Sequence, residues 1–211
     1  MMATSLGFHI IFAAAGIALP LMMVVAEWRH HATGEQVYLT IARRWARAAA
    51  MLFAIGAVSG TVLSFELGLL WPRFMGWAGS IIGMPFSLEG VAFFAEAIFL
   101  GIYMYGWDRL TPRAHLAAGV MVALSGIFSA VFILSANAWM NTPAGFRMVG
   151  GEPVEIHPLA AMFNKAAFTE ILHMVFAAYA AIGFLVAAST LHSCGVSATS
   201  PSIGAASRLR C

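Results

Sequence analysis

Long apolar runs separated by short polar clusters organise this chain. Five of the runs, over residues 6–26, 46–70, 80–107, 116–140 and 166–191, are dominated by Ala, Val, Ile, Leu, Met and Phe. About 20 mostly apolar residues in a helix cross a hydrocarbon core, and a helix satisfies its own backbone polar groups there. The pattern therefore predicts an all-α fold, a polytopic transmembrane helix bundle of five spans. The first run is too long for the core of a secretory signal, follows no basic residue, and contains His9 and Pro20. It reads as a span. No internal repeat or low-complexity tract suggests a solenoid.

The apolar pattern stops after residue 192. Residues 1–192 form the expected bundle, and 193–211, rich in Ser, Ala and Gly, read as a disordered tail or an aberrant continuation. Both cysteines, Cys194 and Cys211, fall in that tail. Their position leaves no disulfide framework, CxxC pair or CxxCH haem attachment.

Composition then removes whole classes of function. Of 211 residues, 61% are hydrophobic and 9% charged, with a net charge of +2. A soluble domain carries about 25% charged residues, so this chain cannot cover a water-facing surface. A soluble enzyme, a disordered linker and a nucleic-acid binder are excluded, the last for want of a basic stripe.

Charge in the connections predicts direction. Arg29, Arg43, Arg44 and Arg47 flank the first connection, and Arg109 and Arg113 the third. Arg73 marks the second, and Arg147 and Lys165 the fourth. By the positive-inside rule the first and third connections are cytoplasmic and the N-terminus is outside. Trp28, Trp71, Trp77, Trp107 and Trp139 fall near the predicted interfaces.

Ionisable residues within spans are costly and point to function. Four stand out: His9, Glu89, Glu96 and His173. Given the predicted direction and span starts, His9, Glu89 and His173 are expected in the outer half of the bilayer. Glu89 and Glu96 are seven apart, on one helix face with about 20° of drift and about 10.5 Å between them along the axis. Two stacked carboxyls suit a proton relay; they equally suit protonated acids bonded to polar neighbours. An intramembrane histidine serves as a haem or metal ligand, an interhelical hydrogen bond or a proton carrier. Two of them near carboxyls favour a cofactor. His30, His31 and His157 are expected in solvated loops, while His115 fits either a solvated or a chemical role. Gly56, Ser59, Gly60 and Gly68 permit close approach of a helix or a flat ligand. Ser129, Ser135 and Asn137 can bond a buried carboxyl or a cofactor, or tie helices together.

Several strings carry a resemblance. They are Gly7-Phe8-His9-Ile10-Ile11-Phe12, Ser59-Gly60-Thr61, Phe65-Glu66, and Ser87-Leu88-Glu89-Gly90 followed by Phe93-Phe94-Ala95-Glu96-Ala97. Gly106-Trp107-Asp108-Arg109, Ser135-Ala136-Asn137-Ala138-Trp139-Met140 and Leu172-His173 continue the series. Together they resemble subunit I of cytochrome bd-type quinol oxidases, in order over about residues 7–190. The resemblance implies a respiratory terminal oxidase of the bacterial cytoplasmic membrane, taking electrons from membrane quinol and reducing dioxygen to water. It implies low-spin and high-spin haem b, a haem d or a further haem b, and a subunit II as heterodimeric partner. It assigns His9 to the high-spin haem pocket and His173 to the low-spin haem b. Glu89 and Glu96 then belong to the oxygen-reducing pocket and its proton path, with Ser129 and Asn137 as neighbours. The spacing of seven resembles the cyanide-insensitive branch. Family chains have roughly nine spans against five here, so the expectation is an N-terminal portion that does not oxidise quinol alone. The alternative is a proton-coupled transporter using Glu89 and Glu96, or a scaffold subunit.

Overall fold

Proline and glycine punctuate the apolar runs where helices begin and turn. Pro72, Pro112 and Pro158 each occupy the first turn of a helix, where a missing N–H costs nothing. The computed structural model describes the backbone of residues 2–199 and the side chains as far as Leu191. Its helices are α1 (Met2–Thr33), α2 (Gln36–Leu70), α3 (Pro72–Tyr105), α4 (Pro112–Asn141), the short α5 (Pro158–Met162) and α6 (Ala167–Thr199). Between α4 and α5, β1 (Arg147–Val149) and β2 (Glu152–Val154) pair antiparallel, Arg147 opposite Val154. Gly150 and Gly151 turn this hairpin at φ +62° and +90°, a conformation that glycine adopts without strain.

The five long helices match the five predicted spans and are long and apolar enough to cross a membrane. Their ends run further than hydropathy suggests. Arg29, His30 and His31 belong to the last turns of α1, and Arg43, Arg44 and Arg47 to α2, so only Gly34 and Glu35 separate the two helices. His30 and His31 are therefore helical, not in a loop: His30 Nδ1 bonds Glu35 O (2.9 Å), and His31 Nε2 reaches Glu27 Oε1 (3.4 Å). Charged side chains end a hydropathy window, but their flexible stems let the helix continue through the interface. The backbone of α6 likewise continues as helix to Thr199, past the point where the tail was expected to begin; residues 200–211 lie outside the described residues.

Packing is uneven. α1 packs on α2, α4 and α6, α3 packs on α4, and α2 touches α3 only lightly. The main core joins Ala15, Ala18, Leu19 and Met23 of α1 to Ala46 and Ala49 of α2, Leu100 and Tyr103 of α3, and Ala118 and Val122 of α4. Small side chains dominate because, in lipid, close van der Waals contact holds helices together. A Cβ on Gly119 would lie 2.8 Å from the Tyr103 ring and 2.9 Å from Val24, and one on Gly126 would lie 3.1 Å from the Gly16 carbonyl. A second cluster at the other end packs Ile81 and Ile82 with Ala136, Trp139 and Ala161. Outward faces remain apolar, with Ile11, Val58, Phe94, Phe168 and Phe184 exposed, as suits a hydrocarbon solvent.

Gly119→Leu is expected to lose about 1–3 kcal/mol through overpacking at the α1–α3–α4 contact. Gly83→Leu, where no atom stands within 4 Å of the added carbon, is expected to be near neutral. Unfolding of both variants in mixed micelles checks the contrast.

Candidate functional site

Heptad spacing on α3 puts Glu89, Glu96 and Tyr103 on one face, and α4 runs antiparallel along it. Each polar group of α3 meets a small or polar residue of α4. Ser129 Oγ donates to Glu89 Oε1 (3.4 Å), Gly126 sits against the Glu96 carboxyl, and Gly119 lies under the Tyr103 ring. Glu96 is buried, 5% exposed, in a gap kept open by Gly16 of α1 and Gly126 of α4. Its carboxyl makes no hydrogen bond among the described residues. Glu89 is half-buried. Because α3 begins at Pro72, Glu89 lies about 25 Å along the helix. It is thus mid-helix, about two to three turns after the start of the apolar run at residue 80. The helix itself starts earlier than that run, at Pro72.

His9 lies about 10 Å along α1 and is half-buried against α2. Its Nδ1 pairs with Ser59 Oγ (3.0 Å), while its ring packs over Gly60, where a Cβ would come within 3.0 Å of Cε1. Ser59 also bonds back to the Ile55 and Gly56 carbonyls, which fixes its hydroxyl toward one purpose. The Gly56 backbone also hydrogen-bonds the His9 ring, and no bond to Nε2 is seen among the described residues. Nearby, Ser5 Oγ donates to Glu66 Oε1 (3.0 Å).

His173 is exposed on α6, with no side-chain hydrogen bond among the described residues. It lines an open groove of about 450 Å³ with Thr169, Leu172, Phe176, Ala177 and Ala180. That face is apolar apart from Thr169 and the imidazole. Asn137, expected near a carboxyl or cofactor, donates from Nδ2 to Glu170 Oε2 (2.9 Å), and Asn141 donates to Glu170 Oε1 (3.4 Å). It ties α4 to the start of α6, one turn before His173. No hydrogen bond or ion pair joins His9 or His173 to Glu89 or Glu96 among the described residues. Nor do three or more His, Cys, Asp or Glu side chains gather to hold a bare metal ion there.

A second cluster escapes the sequence reading. Glu27, Tyr103 and His115 are almost fully buried where α1, α3 and α4 meet. His115 Nδ1 lies 2.7 Å from Glu27 Oε1, and its Nε2 lies 2.9 Å from the Tyr103 carbonyl. His115 therefore belongs to the buried alternative. Glu27 falls one residue beyond the predicted end of the first span, which hid it. Two signals were present: its i,i+4 relation to His31, and the Tyr103 position one heptad after Glu96.

A family model described as cytochrome bd terminal oxidase subunit I matches residues 1–199. The chain belongs to that family. It is 44% identical, with a TM-score of 0.82, to the bd oxidase structure from Geobacillus thermodenitrificans, over 84% of this chain and 41% of that one. It is also 41% identical over 87% of its length to a Bacillus subtilis protein provisionally named cytochrome bd menaquinol oxidase subunit I, covering 42% of that protein. To the cytochrome bd-II ubiquinol oxidase subunit 1 of Escherichia coli it is 30% identical, over 82% of this chain and 34% of the relative. The chain thus spans about a third to two fifths of the length of these relatives. As a cytochrome bd subunit I family member with five membrane-crossing helices, it is a membrane protein whose matched relatives are bacterial.

Removing one member of the buried, hydrogen-bonded Glu27–His115 pair strands the other. His115→Ala is expected to destabilise the chain by about 3–5 kcal/mol, and the double replacement Glu27→Met with His115→Leu to recover most of that loss. Paired unfolding curves in the same micelle check it.

Proposed function

We propose that this chain forms the haem-holding part of subunit I of a respiratory terminal oxidase that oxidises quinol and reduces dioxygen to water. The observation that carries the reading is His9: the Ser59 bond on Nδ1 and the flat approach over Gly60 leave Nε2 as the nitrogen that would hold a haem. His173 fits the same role in a different setting, an imidazole without a competing bond on an apolar groove wide enough for a macrocycle edge. A haem held by a single histidine of this chain would need no multi-residue metal cluster. Bound haems supply electron transfer from quinol and the reduction of dioxygen. We assign His173 to the low-spin haem b, and His9 with Glu89 to the high-spin pocket holding haem b and either haem d or a further haem b.

The remaining residues handle protons. Glu96, buried between Gly16 and Gly126, holds a proton at its carboxyl and passes it along α3 toward Glu89, which Ser129 orients. Asn137 acts by anchoring Glu170 and hence the register of α6 under His173. The family assignment favours this reading over a proton-coupled transporter built on Glu89 and Glu96. Subunit II, quinol and the remainder of subunit I complete the enzyme in the bacterial cytoplasmic membrane. The arginine-rich ends of α1 to α4 face the cytoplasm and the N-terminus faces outward.

Reduced-minus-oxidised absorbance of the chain, alone and assembled with the rest of its oxidase, tests the ligand roles. His9→Ala and His173→Ala are each expected to remove a different haem band; loss of neither overturns the assignment. Orientation is checked separately with a membrane-impermeant maleimide on intact cells, in a chain whose native cysteines are replaced. Glu152→Cys is expected to label and Glu35→Cys to stay unlabelled, and the opposite pattern inverts the topology.

A further inference from the structure

Burial thins out toward the N-terminal end of α1. Every fully buried residue of α1 lies at Ala15 or later, and every one of α2 at Ala49 or earlier. Over residues 2–12 only Met2, Ser5, His9 and Phe12 are even partly shielded, at spacings of three, four and three. Such spacing describes one narrow helix face. Its members meet α2: Phe12 lies against Gly56 and His9 against Gly60, where added Cβ atoms would stand 3.6 and 3.0 Å away. A seam with so little buried side chain gains little from packing, so its polar contacts decide how the two helices sit.

Two side-chain hydrogen bonds cross this seam. His9 Nδ1 pairs with Ser59 Oγ (3.0 Å), and one turn nearer the N-terminus Ser5 Oγ donates to Glu66 Oε1 (3.0 Å). A carboxyl within a span is costly, and Glu66 enters none of the roles assigned above. Its Oε2 is buried with no hydrogen-bond partner among the described residues. Ser5 is therefore the polar link between this carboxyl and α1. The reach of the link is specific. His9 stands level with Ser59 and Gly60, and Phe12 with Gly56, so the antiparallel register puts Ser5 level with Leu63 and Ser64. Glu66 begins about 3–4.5 Å further along the axis, and its long side chain closes that gap. An aspartate there, one methylene shorter, falls short of Ser5.

We propose that Glu66 is a positioning residue for the His9 site. Its bond to Ser5 clamps the N-terminal turns of α1 onto α2, and so keeps the His9 ring, one turn on, over Gly60 with Nδ1 on Ser59. The role in haem binding rests on the reading of His9 given above. Glu66 acts there through Ser5 and the helix.

Two measurements test the clamp and its effect separately. The first is amide hydrogen exchange over residues 2–9, read by mass spectrometry on the full chain in lipid nanodiscs, with α4 as the internal control. Exchange is expected to quicken about tenfold in Glu66→Leu, which removes the acceptor, and in Glu66→Asp, which keeps the acid but not the reach. Glu66→Gln, equal in length and with a carbonyl oxygen for Ser5, is expected to exchange as the parent does. The second is haem loss to excess haem-free globin from the assembled oxidase. Loss from the site that His9→Ala empties is expected to quicken about tenfold in the Leu and Asp variants and to stay parental in Gln, with no change at the site that His173→Ala empties. Parental exchange in both the Leu and Asp variants, or a Gln variant that exchanges as fast as Leu, overturns the clamp. Quickened exchange with unchanged haem loss overturns the positioning role. If His9→Ala removes no haem, the haem reading of His9 fails and the positioning role with it, while the exchange pattern still decides the clamp.

Discussion

Helices in lipid gain nothing from hiding apolar side chains from one another, so a bundle must be held by how closely its backbones approach. Here that closeness is concentrated where α1, α3 and α4 meet. Gly16, Gly119 and Gly126, together with Ala15, Ala18 and Ala118, remove the side-chain bulk that would otherwise keep the three axes apart. The same small residues determine where polar groups can sit. A Cβ on Gly126 would crowd the Gly16 carbonyl beside the Glu96 carboxyl, and one on Gly119 would strike the Tyr103 ring. Tight packing and buried ionisable chemistry are one feature of this bundle.

That feature explains why the polar residues lie in a file along α3. A period of seven returns nearly to the same helix face, so Glu89, Glu96 and Tyr103 all point into the α4 contact. Antiparallel α4 supplies Ser129, Gly126 and Gly119 in the reverse order, and α1 contributes Glu27 at the far end. The histidines assigned to haem stand apart from this file. His9 sits at the α1–α2 seam and His173 on the outer face of α6, both open on one side. In the proposed reading, protons would move along the α3–α4 contact and meet the electron path only at the pocket assigned to Glu89 and His9.

The unequal burial of the helices fits a chain that spans about a third to two fifths of its relatives' length. α1 and α4 are the most buried of the long helices, whereas α2 and α6 present long apolar faces. The groove beside His173 is on one of those faces.

Hydropathy alone determined the five spans, because the cost of an unpaired backbone group in hydrocarbon allows an apolar run of that length only one structure. Heptad spacing also revealed the shared face of Glu89 and Glu96, and the motif strings revealed the family. Helix ends were not legible: charged stems at Arg29 and Arg43 end an apolar window without ending a helix. Which residue meets which was decided only by tertiary structure. Asn137 turned to Glu170 and His115 paired with Glu27, 88 positions away, because interhelical contacts depend on rotation and crossing, which a one-dimensional pattern does not encode.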